Sequence, residues 1–202
     1  GNRSWSWEKV SKVFRRMENF DGGDEEVRGR NGPLGISEVP DQNPLYDALI
    51  SSAQSAGYPH NSDYNGLDQE GIGKTQATIK AGRRMSTARC YLEPAMRRQN
   101  LEIITEAMTQ HLILDGKRCV GVVYKKNGKE HTAKCTQEII LSAGAVSSPQ
   151  ILELSGIGNP ETLQRYGIEV QHELPAVGEN FRDHIASRIN WKVTKPGITY
   201  ND

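Results

Sequence analysis

The sequence predicts a mixed α/β (α+β) chain in which helical and loop segments precede a three-stranded antiparallel meander. Three observations predict it. Apolar residues recur at three and four within the first twenty positions, and the period shifts to that of a strand after Leu101. Two glycine turns, Asp115-Gly116 and Asn127-Gly128, then punctuate the strand-like run.

The elements follow in order. Trp7, Val10, Val13, Phe14 and Met17 form one apolar stripe, with Lys and Arg between them, so Trp7 to Phe20 reads as an amphipathic helix ended by Gly22-Gly23. Residues 21–36 are charged and glycine-rich, and residues 58–86 are also loop-like, which predicts two mobile segments. Asn43-Pro44 is a cap followed by proline, opening a helix that stops at Gly57. Thr87 to Arg98 holds a third helix. The meander is expected over Leu101–Cys135, followed by a short apolar strand, Glu138–Ser142. Further helices are expected from Ser148-Pro149 and Asn159-Pro160.

Composition narrows the function classes. The 202 residues carry 25 Lys and Arg against 25 Asp and Glu, so the charge cancels and no basic footprint for nucleic acid exists. No apolar run approaches the ~20 residues of a transmembrane helix. Cys90, Cys119 and Cys135 are odd in number and form no CxxC, which favours a reducing compartment. The absence of an initiator Met and of a closing element predicts a segment of a longer chain.

Several motifs fail on inspection. Gly71-Ile72-Gly73-Lys74-Thr75 mimics a phosphate loop, but Asp68 stands where the first glycine belongs. Asn61, Asp63, Asn65 and Gly66 mimic a calcium loop, but Ile72 occupies the position of the closing carboxylate, so a solvated turn is expected. The five histidines lack ligand spacing, and no metal site is expected. No serine lies in a nucleophile elbow.

One signal survives. From Gly144 to Gly158 the chain reads GAVSSPQILELSGIG, a strand end of small residues running into a helix start. Small residues let backbone approach a planar ligand, and a helix start presents free N–H groups. Tight helix–sheet packing would use the same residues. Physics alone leaves both readings open.

This stretch matches every position of the second signature of the glucose–methanol–choline (GMC) oxidoreductases. The resemblance extends to Gly82–Ala95, to Arg98–Thr105 and Asp115–Val122, and to Leu174–His184, where Ala176, Phe181 and Arg182 depart from the family pattern. Segments 107–111 and 170–175 resemble the choline dehydrogenase branch. The resemblance implies an FAD-dependent oxidoreductase acting on the CH–OH group of a small alcohol, with hydride passing to the flavin. It implies part of an FAD-binding, Rossmann-like domain plus part of a substrate domain. Residues 1–100 would form the helical and loop segment covering the flavin and substrate, 101–185 the FAD-binding portion, and 186–202 the start of the substrate domain. Thr109 and Ser142-Ala143-Gly144-Ala145 would lie against the adenosine half of FAD. No catalytic residue is assigned, because the family's G-x-G-x-x-G and its catalytic histidine have no counterpart here. Asp183 and His184 belong to a structural block, with His184 expected to be hydrogen-bonded. A non-catalytic module on the same scaffold, or an FAD-containing lyase, are the alternatives.

Overall fold

The computed structural model describes residues 2–39, 43–190 and 192–194. The chain divides into two units, a first made of the described residues up to Glu102 together with 190 and 192–194, and a second, Ile103–Ile189. In the first unit, a 3-10 turn at Arg3–Trp5 leads into helix α1 (Trp7–Met17). Strands β1 (Glu18–Phe20) and β2 (Leu34–Glu38) follow, then α2 (Pro44–Ser55). Strands β3 (Gln76–Ala77), β4 (Ile79–Lys80) and β5 (Arg83–Arg84) come next. A π-helical turn at Ala88–Leu92 runs into α3 (Glu93–Ala95). In the second unit, β6 (Met108–Asp115), β7 (Arg118–Lys126) and β8 (Lys129–Lys134) precede α4 (Gly144–Leu154). Strand β9 (Ile157–Gly158), α5 (Pro160–Arg165) and β10 (His172–Glu173) complete it.

The two Asn-Pro capping pairs perform as the sequence suggests. The Asn43 side chain accepts from the Leu45 N–H at 2.9 Å. Asn159 accepts from the Glu161 N–H at 2.9 Å and opens α5. The first helix is shorter than its apolar stripe predicts. Its expected last turn, Glu18-Asn19-Phe20, is a strand paired parallel to Leu34-Gly35-Ile36, with Phe20 only 3% exposed. Burying Phe20 this way overrides the helical period.

Of residues 21–36, expected to be loop, Leu34-Gly35-Ile36 belongs to β2, and the glycine-rich part 21–33 is tied down by side chains. Gly29 and Gly32 approach the main chain of Arg15–Glu18 too closely for any Cβ, so these glycines serve close packing. Between them and β1 lies Arg28, 3% exposed. Its guanidinium donates twice to the Glu18 carboxylate, at 2.9 and 2.6 Å, and also to Gln76 Oε1 at 3.0 Å and to Asp63. It stacks over the Phe20 ring, 4.3 Å from the centroid. Gln76 Nε2 donates to Asp63 at 2.9 Å, and Gly29 N–H donates to Glu18 at 2.9 Å. Arg30 donates to the carbonyls of Phe20, Gly22 and Gly23. The supposed solvated turn around Asp63 is therefore one jaw of a buried ionic clasp. Likewise Gly73 sits against the Asn61 carbonyl, in a backbone approach that no side chain would permit. The 58–86 segment also holds the tight β4–β5 hairpin, closed by Ala81-Gly82 with both residues at positive φ.

In the second unit, β6, β7 and β8 form the expected antiparallel meander. Its first turn has Gly116 at φ +57°, and its second has Asn127 and Gly128 at +51° and +76°. The latter is the backbone twist that a two-residue hairpin requires. Two strand expectations fail. Residues 101–104 form no strand, and the meander begins only at Met108, after Glu106 at φ +55°. Glu138–Ser142 is likewise unpaired, with Ile140 80% exposed. A strand with apolar residues on both faces needs neighbours on both edges, and no described strand provides one. Trp191 and residues 195–202, within the segment expected to begin a substrate domain, lie outside the described residues.

The clasp fixes a pH response. Burial pushes the Glu18 carboxyl up, but the Arg28 hydrogen bond, the Gly29 N–H and the Arg28 charge outweigh it and leave the group below its ordinary value. A lowered folded pKa contributes stability above the unfolded value, about 4.3, and loses it as pH falls through the folded one. Glu18→Gln should cost about 2 kcal/mol at neutral pH, since Arg28 loses one of its two carboxylate partners and keeps Asp63. The variant should also lose less stability than the wild type between about pH 4.5 and 2. Thermal unfolding across that range checks it; parallel profiles would contradict the clasp.

Candidate functional site

The candidate residues Ser142, Ala143, Gly144 and Ala145 form one exposed turn. The helix expected to open at Ser148-Pro149 begins four residues earlier, at Gly144. Ser148 is therefore not the cap of a later helix: its Oγ accepts the Ala143 N–H at 3.0 Å and folds the turn onto the helix. This earlier start puts the free N–H groups of the first turn at Gly144 and Ala145 themselves. Pro149 lies inside the helix and has no N–H to offer the Ala145 carbonyl.

Gly144 has φ +89°, and a Cβ added there meets nothing within 4 Å. The glycine is required by the backbone, not by a crowded neighbour. The turn thus presents bare, uncharged main chain to open space.

Thr109, the remaining candidate, lies half-buried in β6 directly opposite Tyr124 of β7. The ladder slips between Thr109 and His111, leaving Gln110 as a bulge. Thr109 and the Ser142–Ala145 turn thus sit on separate elements of one unit. Those elements are joined by a residue that the sequence reading left without a role. Ser155, 8% exposed at the end of α4, accepts the Leu112 N–H of β6 at 2.8 Å and donates to the Ile151 carbonyl. Its signal was a buried hydroxyl at a helix C-terminus, next to glycine.

Gly156 follows at φ +77° and ends α4, donating to the Glu153 carbonyl at 2.9 Å. Its own carbonyl accepts from Gln171 and His172, at 2.8 and 3.0 Å. Ile157-Gly158 then pairs parallel with His172-Glu173. A Cβ at Gly156 would overlap the Glu169 carbonyl oxygen. The tail of the signature, SGIG, is thereby explained as scaffold.

His184 is exposed, and its backbone N–H donates to Asp183 Oδ1 at 2.8 Å. The imidazole makes no hydrogen bond among the described residues, so the structural role expected for it is not seen there. Among the described residues no group of three or more His, Cys, Asp and Glu could hold a metal ion. No described helix is long and apolar enough to cross a membrane.

Comparison with known proteins specifies the class to which this α/β unit belongs. The family model described as GMC oxidoreductase matches residues 1–186, and the chain belongs to that family. The oxygen-dependent choline dehydrogenase of Staphylococcus saprophyticus is 42% identical over 198 residues, which are 97% of this chain and 35% of that protein. The mitochondrial choline dehydrogenase of Homo sapiens is 42% identical over 196 residues, covering 97% of this chain and 33% of its own length. Among solved structures, pyridoxine 4-oxidase from Mesorbium loti superposes with a TM-score of 0.76 at 30% identity, over 87% of this chain and 35% of that one. An FAD-dependent oxidoreductase from Chaetomium thermophilum gives 0.79 at 26% identity, over 87% and 33%. The chain therefore spans about a third of the length of the curated relatives it matches.

Removing the hydroxyl that joins helix to sheet should be costly. Ser155→Ala leaves the Leu112 N–H without its acceptor and should destabilise the second unit by about 1–3 kcal/mol. Gly156→Ala should cost at least as much, because strain at positive φ adds to the backbone overlap. Chemical denaturation of both variants tests this, and a Ser155→Ala midpoint equal to wild type would refute the join.

Proposed function

We propose that this chain is part of an FAD-dependent oxidoreductase that acts on the CH–OH group of a small alcohol of the choline type. Thr109 and Ser142-Ala143-Gly144-Ala145 lie against the adenosine half of the cofactor. The observation that carries the placement is the Gly144 turn: positive φ, open space where a side chain would stand, and free N–H groups at a helix start. Such a site suits the uncharged, planar half of a dinucleotide, which needs close backbone approach and no counter-charge. Thr109 fits the same role because a backbone contact does not depend on its side chain. When bound, the flavin would accept hydride from the alcohol carbon.

The chain's own contribution is to hold and orient. Ser148 fixes the Ala143 N–H, Ser155 fixes the helix against β6, and the bulge at Gln110 sets the course of the backbone at Thr109. None of the described residues is assigned as the base toward the substrate hydroxyl. The 42% identity to choline dehydrogenases favours a dehydrogenase over a non-catalytic module or a lyase.

Gly144→Val in the intact protein should weaken flavin retention by about 1–3 kcal/mol, because valine at φ +89° must distort the turn. Ser147→Ala is the control, since its hydroxyl has no hydrogen-bond partner among the described residues. Flavin content per protein after identical purification reads the difference. Equal occupancy in the two variants would mean that the turn serves helix–sheet packing alone.

A further inference from the structure

The register of the meander places three residues in one row. Thr109 of β6 is opposite Tyr124 of β7, and Tyr124 is opposite His131 of β8. Directly opposed residues project from the same sheet face, with Cβ atoms about 5 Å apart. The Tyr124 and His131 rings are stacked, with centroids 5.3 Å apart and planes inclined by 17°.

The backbone around Thr109 needs such support. On one side lies Glu106 at φ +55°; on the other, the Gln110 bulge interrupts the ladder. Met108 and Thr109 therefore form a short tab, whose register is set only by Lys125 and Tyr124. Bulges redirect the residues beside them, and the bulged strand bends according to what packs on it. Tyr124 is the aromatic residue paired with this tab, and His131, paired with it on β8, stacks on its ring.

We propose that Tyr124, backed by His131, is a positioning residue that holds the Thr109 backbone in the orientation the adenine meets. The inference rests on the cofactor placement above and adds to it two residues that do not touch the turn. Tyr124 acts through its ring, so the phenolic hydroxyl is dispensable. His131 acts as a flat partner for that ring, and another planar side chain can replace it.

The test is the dissociation constant for FAD of the intact protein after removal and readdition of flavin. Thermal unfolding of each flavin-free variant is measured beside it. Tyr124→Ala and His131→Ala should weaken FAD binding about three- to tenfold, the range expected for losing one aromatic stacking pair. Tyr124→Phe and His131→Phe should restore it to within about twofold of wild type. Glu130→Ala, the neighbouring exposed position on β8, should leave it unchanged. His131 is exposed, so its truncation should leave flavin-free melting near the wild-type value. Wild-type affinity in both alanine variants, with Gly144→Val still losing flavin, overturns the positioning role and leaves the cofactor placement standing. Retention of flavin by Gly144→Val overturns the placement and the inference together. Loss of affinity that the phenylalanine variants fail to rescue also overturns it, because the planar stack would then not be the cause.

Discussion

The Ser155 hydroxyl is the constraint on which the arrangement of the second unit depends. Strand β6 is an edge of its sheet, so some of its N–H groups face away from the ladder. Ser155 satisfies one of them, Leu112, while spending its own proton on the Ile151 carbonyl inside α4. One buried side chain thereby registers a helix against a strand. The helix is a lever about 16 Å long at 1.5 Å per residue, with the Gly144 turn at its far end. A small error at Ser155 would be carried to that turn. Gly156 adds the second restraint, reversing the chain so tightly that Glu169 leaves no room for a Cβ.

The first unit is organised by a different interaction. Arg28 gathers Glu18, Asp63 and Gln76 from three separated segments around a buried guanidinium, with the Phe20 ring beneath it. Such an arrangement is weak evidence for net stability, since taking charges out of water costs about what their attraction returns. It is strong in directing geometry, because a planar guanidinium accepts few arrangements of its partners. The glycines of loop 21–33 then bring its backbone against the end of α1. What reads as a flexible polar loop is a segment fastened by charge instead of by apolar contact.

Much of the fold was legible because local chemistry decides it. Asn-Gly and Asp-Gly turns fix the meander, and Asn-Pro pairs fix the starts of α2 and α5, whatever the rest of the chain does. The elements that were misread depend on distant partners. Glu18–Phe20 is a strand only because Leu34–Ile36 lies beside it, and Glu138–Ser142 remains unpaired because no described strand does. For the candidate site, the run of small residues at 142–145 was visible, as was the stretch containing Thr109. The helix start at Gly144 was hidden by Ser148-Pro149, a convincing cap in sequence that the structure uses to bind the Ala143 N–H. The roles of Arg28 and Ser155 were invisible, since partners thirty-five to forty-eight positions away leave no local pattern, whereas the Tyr124–His131 pairing follows from the register of the Asn127-Gly128 hairpin.

On the proposed placement, one ligand surface is assembled from two parts of the second unit, the tab before the Gln110 bulge and the turn before α4. Hydrogen exchange of the intact protein with and without FAD tests it most directly, because both parts would present backbone to the cofactor. The account predicts slowed exchange at 108–110 and at 143–147 when FAD binds, with little change in the hairpin tip around Asn127-Gly128. Protection that spares both of these segments while FAD is demonstrably bound would contradict it.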